Sequence, residues 1–246
     1  MNRVIFPIIS LVGFLSLLLL YLAGAGYKSG TFELGQAFTL LRYCAYGGIA
    51  SVGIVIFYLL WQRPMGTQLG VLFLSALAGL TAFYLPYRQQ QIAASVPPIH
   101  DITTNISNPP QFVAVVPLRA SAPNPAEYLG GETSVLQREF YPDIMSRVYV
   151  QSPSDVFAAV TEVVSELGWD LVDAAEAEGR IEATGTTPWF GFKDDVVIRL
   201  QAGSANSTIL DIRSKSRVGR SDIGVNANRI RTFTTTLNAK LMVEFP

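Results

Sequence analysis

Between Arg213 and Arg231 the chain reads RSKSRVGRSDIGVNANRIR, and this stretch holds six of its eighteen basic residues. Arginine offers a planar fork of donors that matches carboxylates and phosphates, so such a cluster points to recognition of an anionic group. Centring a hairpin on Ser204 sets Arg199 opposite Ile209, Val197 opposite Asp211, Asp195 opposite Arg213 and Lys193 opposite Lys215. By the two-residue period of a strand, Lys193, Asp195, Arg199, Asp211, Arg213, Lys215 and Arg217 then share one face. Val196, Ile198, Leu200, Leu210 and Ile212 occupy the other. Arg220 continues the charged face into a turn, and Asn226 and Arg229 follow in the first turns of a helix. The candidate anion-binding set is therefore Lys193, Arg199, Arg213, Lys215, Arg217, Arg220, Asn226 and Arg229. The competing reading is a solvated face with cross-strand ion pairs, each worth about 0.2–1 kcal/mol.

Other chemistry finds less support. Gly219 to Gly224 precedes a helix, where backbone amides can hold an anion, but the glycine spacing and Lys-Ser/Thr of a phosphate loop are missing. His100 is the only histidine and neighbours Asp101, yet adjacent residues of an extended chain point in opposite directions. No second histidine and no cysteine outside the apolar N-terminal region completes a zinc site, so no metal or cofactor is expected. A serine nucleophile would have only His100 as its base, and no G-x-S-x-G elbow occurs. Trp189, Phe190 and Phe192 form an aromatic loop that suits either a membrane or partner surface or a core plug. The 158 residues from 89 onward carry a net charge of −5, which disfavours nucleic acid as a partner.

Several elements must position these groups. Ser152-Pro153-Ser154-Asp155 starts a helix with an N-cap serine, proline at the first position and an acid at the third. Val156, Phe157, Val160, Val163, Val164 and Leu167 give it one apolar stripe, and Gly168 suits a left-handed cap. Extended runs follow at 169–173, 180–184, 194–201 and 207–217, after an earlier one at 147–151. A last helix over 225–243, capped by Asp222, carries Ala227, Ile230, Thr234, Leu237 and Leu241 inward. Residues 112–118 read as a short strand and 132–141 as a short helix. The fold class is α+β: an antiparallel four- to five-stranded sheet with both helices on one face and the charged face in water.

The chain begins with three apolar stretches, 4–24, 44–61 and 66–87, each near the roughly 20 residues that span a bilayer. The domain organisation expected is a three-span anchor over 1–88, a proline-punctuated tether over 89–111 and a soluble domain over 112–246. Glycines and alanines at 44–53 and 76–82 suit close helix packing. Basic residues balance across the spans, and the preferred topology has an internal N-terminus and an external C-terminal domain.

The segments PPIHDI (97–102), YPDI (141–144), FKDDVVIR (192–199) and RSKSRVGRSDIGVNANRI (213–230) resemble the signature blocks of the bacterial domain-of-unknown-function family 1499. The resemblance covers roughly residues 95–241. It implies an envelope protein of the bacterial inner membrane, its domain in the periplasm, and it carries no activity, cofactor or catalytic residue. The reading that results is a non-enzymatic, membrane-anchored protein that binds an anionic lipid, ligand or protein partner through the basic corner. Its rivals are an accessory subunit of a larger membrane complex and a hydrolase of unknown substrate.

Overall fold

The computed structural model describes residues 2–242 of the 246-residue chain. These divide into two units, one of residues 2–94 with 188–191, the other of residues 95–187 with 192–242.

The first unit holds α1 (Asn2–Lys28), α2 (Leu34–Gln62) and α3 (Thr67–Ser95). All three are long and apolar enough to cross a membrane. Small residues set their spacing. A Cβ added at Gly48 would collide with the Gly79 carbonyl oxygen, and one at Gly79 with Ser51 Oγ. Close approach of this kind is how apolar helices gain packing where lipid removes the hydrophobic drive. The aromatic segment 188–191 belongs to this unit: Phe190 lies within ring-contact range of Tyr27 and Phe38 and is buried.

The second unit has the order β1 (Asp101–Thr103), α4 (Glu132–Phe140), β2 (Arg147–Tyr149), α5 (Pro153–Glu166), β3 (Asp170–Ala175), β4 (Arg180–Thr186), β5 (Lys193–Ala202), β6 (Thr208–Ser216) and α6 (Val225–Lys240). The strands form one antiparallel sheet in the order β1-β6-β5-β4-β3, and β2 also pairs with β6. The α+β class is as expected, with six strands rather than four or five.

The N-terminus of α5 follows its sequence signals. Ser152 Oγ accepts from the Asp155 amide at 3.3 Å, and Pro153 occupies the first turn. Gly168 takes φ +68°, so the Trp169 amide can reach back to the Val164 carbonyl. The stripes of α5 and α6 meet Ile181, Val196, Ile198, Leu200, Leu210 and Ile212 in one core. Phe233, rather than Thr234, completes the α6 stripe, and Val243 lies outside the described residues.

Three expectations are corrected. The β5–β6 register pairs Arg199 with Asp211, Val197 with Arg213 and Asp195 with Lys215, two residues from the expected pairing. The shift is even, so the faces are unchanged. Its cause is the Ser204–Asn206 turn, where Ala205 and Asn206 adopt φ of 52° and 60° and move the hairpin centre by one residue. The segment read as a tether contributes the end of α3 and strand β1, and Ile99 and Ile102 enter the core. Residues 112–118 are not a strand; they turn into a 3-10 helix at Pro117–Arg119.

Candidate functional site

The charged face of the sheet is covered. Residues 105–131 lie across it as a strap, and Phe112 and Val115 pack on Val197 beneath. The expectation of a wet face fails because the strap supplies acceptors that water would otherwise supply.

Asp101 on β1 sits beside Arg213 and Lys215 through the β1–β6 pairing. Arg213 donates to Asp101 from Nε and Nη2, both at 2.8 Å, and Lys215 Nζ lies 3.1 Å from the same carboxylate. Arg213 is 0% and Lys215 1% exposed. The Arg213 guanidinium also stands 4.8 Å above the Phe112 ring.

Asp195 anchors a second group. It accepts from Arg119 Nη1 at 2.6 Å, Arg217 Nε and Nη2 at 2.9 and 2.7 Å, and Thr184 Oγ1 at 2.7 Å. Burial alone would push its carboxyl up, but the hydrogen bonds from Arg217, Thr184 and Arg119 and the Arg217 charge hold it below the ordinary carboxylate value.

Four cations thus share two carboxylates. The surplus positive charge is met by backbone carbonyl dipoles, chiefly of the strap. Arg213 reaches Pro110 and Ala126, Lys215 reaches Glu127, Arg217 reaches Leu118, and Arg119 reaches Asn124 and Ser216. Burial pushes the Lys215 ammonium down despite the Asp101 charge.

Between these contacts the strap is clasped by Glu182, fully buried on β4. Its carboxylate accepts from three successive amides, Val113, Ala114 and Val115, at 2.8, 3.0 and 2.9 Å, and from Arg180. Such a run of amides around an anion is a nest, and here the chain fills it with its own carboxylate.

The remaining candidates divide by exposure. Arg199 pairs with Asp211 at 2.6 Å and donates to the Asn108 carbonyl. Arg229 pairs with Asp194 at 2.7 Å and donates to Asn226 Oδ1. Asn226 is fully buried; Nδ2 donates to the His100 carbonyl and Ser216 Oγ, and Oδ1 also accepts from Ser214 Oγ. The N-cap of α6 is Gly224, at φ +82°, rather than the expected Asp222, which lies two residues earlier and accepts from the Gly224 and Asn226 amides, each at 2.8 Å. Lys193 and Arg220 are exposed, and neither has an ion pair among the described residues. His100 is half-buried beside this corner, 3.3 Å from the Arg220 carbonyl; burial pushes its imidazole down, against that hydrogen bond.

Sequence reasoning missed Arg119, Asp101 and Glu182 as partners. Arg119 lies in a proline-rich loop without periodicity. Glu182 lies in a run read as a strand, so its parity was the available signal, whereas Asp101 fell in the segment read as a tether and offered none. Among the described residues no group of three or more His, Cys, Asp or Glu is arranged to hold a metal ion.

The chain matches the family described as protein of unknown function (DUF1499) over residues 101–237, more than half its length. It belongs to that family. The match spans every strand of the sheet, α5 and the strap, and it begins at Asp101 itself. A comparison with curated proteins gave no match.

Proposed function

We propose that this DUF1499 protein is a non-enzymatic protein of the bacterial inner membrane. Its α+β domain faces the periplasm and binds an anionic ligand or partner at the β5–β6–α6 corner. The observation that carries the reading is the contrast within one basic cluster. Arg213 and Lys215 are spent internally, whereas Lys193 and Arg220 are exposed and make no ion pair among the described residues. Arg217 lies between, its side chain 15% exposed. The buried cations then serve as framework and as a source of positive potential behind the rim. A binding role rather than catalysis is favoured because His100 spends its Nδ1 on a backbone carbonyl and the Asp194 and Asp195 carboxylates are spent on arginines.

The test is titration of the full-length protein in detergent with inorganic phosphate and with polyglutamate, before and after Lys193→Glu/Arg220→Glu. The double charge reversal should weaken binding by up to about 30-fold, because each exposed pairing is worth up to about 1 kcal/mol. Equal affinity of both proteins would remove the corner from consideration.

A further inference from the structure

Within the strap the side chains alternate sharply. Phe112, Val115 and Arg119 are buried, while Val113, Val116 and Leu118 are 54%, 43% and 52% exposed. Three bulky aliphatics within six residues stand in water on a backbone that is not free to turn them inward. The Val113, Ala114 and Val115 amides are held by Glu182, and the Arg119 side chain is tied to Asp195. Scattered exposed aliphatics are ordinary, whereas these three are displayed together on a segment whose backbone is held in place.

Hydrogen bonds tie the strap to the segments that carry the exposed cations. Arg217 donates to the Leu118 carbonyl at 3.1 Å, and its amide bonds the Lys193 carbonyl at 3.0 Å. Asn124 Nδ2 ties the strap to the Gly219 carbonyl, next to Arg220. Aliphatic knuckles rimmed by lysine and arginine complement a surface with an apolar interior and negative head groups. The chain also carries three helices of spanning length, and only residues 96–100 separate α3 from β1. Five residues reach at most about 17 Å when extended. A bilayer is therefore within reach of the domain by covalent connection.

We propose that Val113, Val116 and Leu118, with Lys193 and Arg220, form a surface that docks on anionic lipid head groups. The proposal rests on the anion-binding reading of the corner and names its ligand. Leu118 enters the head-group region, and the two cations pair with lipid phosphates.

The test uses the full chain with Leu118→Cys carrying an environment-sensitive fluorophore, in a Cys44→Ala background, in phosphatidylcholine nanodiscs with or without phosphatidylglycerol. Phosphatidylglycerol should blue-shift the probe and shield it from an aqueous quencher. Lys193→Gln/Arg220→Gln should shift the docking equilibrium by roughly 25-fold, about a factor of five per cation at an anionic surface. Both residues are exposed, so these variants leave the packed interior intact. Shielding that is equal in both lipids, or that survives the double variant, overturns the proposal. So does shielding that appears only when an envelope protein extract is added, which would assign the surface to a protein. If the corner still binds phosphate or polyglutamate while the probe stays in water, only the lipid assignment falls. If both fail, the anion-binding reading falls with it.

Discussion

Asp101 holds two fully buried cations, Arg213 and Lys215, on one carboxylate. Removing one partner of a buried pair leaves the other charge without water or counter-ion, which costs about 3–5 kcal/mol. Asp143 makes a pair of similar length with Arg231, 2.7 Å, but the two side chains are 51% and 39% exposed. Water replaces such a partner readily, and exposed pairs are worth about 0–1 kcal/mol. Asp101→Ala is therefore expected to destabilise the domain by about 3–5 kcal/mol, and Asp143→Ala by less than about 1 kcal/mol. Denaturant unfolding of the detergent-solubilised chain, followed by tryptophan fluorescence, measures both. Equal losses would show that the Asp101 group carries no special burden.

The strap differs from an ordinary loop in how its backbone groups are satisfied. Its carbonyls at 108, 110, 118, 124, 126 and 127 accept from arginines or lysine, and its amides at 113–115 donate to Glu182. Irregular backbone can lie over a sheet only when such groups are paired, because an unpaired buried polar group costs about 1–3 kcal/mol. Glu182→Ala should therefore loosen the strap before it unfolds the sheet. Hydrogen exchange should show protection at Val113, Ala114 and Val115 falling, with the amides of β5 and β6 slower to change. Simultaneous loss in strap and strands would mean that the two open as one unit.

At the level of the whole molecule, charge and hydropathy are segregated along the chain. Apolar helices of spanning length fill residues 2–95, and charge concentrates beyond them. Three helices that all cross a bilayer would put the two ends of the chain on opposite sides, so the external-domain topology makes a simple demand. A C-terminal alkaline phosphatase fusion should be active in the bacterial periplasm, and a C-terminal green fluorescent protein fusion exported unfolded should be dark. The reverse pattern would place the domain in the cytoplasm and end the periplasmic reading. The docking surface would then be tested against the inner leaflet.

Local signals carried much of the fold. The apolar periodicity of α5 and α6, the Ser152 cap, Gly168 and the alternation of β5 and β6 each depend on neighbours within a few residues, where propensity and period act directly. Membrane-length helices were legible for the same reason. What the tertiary structure decided was the fate of the charged face. Alternation assigns Arg213 and Lys215 to a side of the sheet, but it carries no information about what lies on top. The strap is proline-rich, without period, and separated from β6 by about a hundred residues, so its carbonyls and Arg119 meet that face only through folding. A strand pattern looks the same whether water or backbone receives its cations, and only the packed molecule distinguishes a binding surface from a buried clasp.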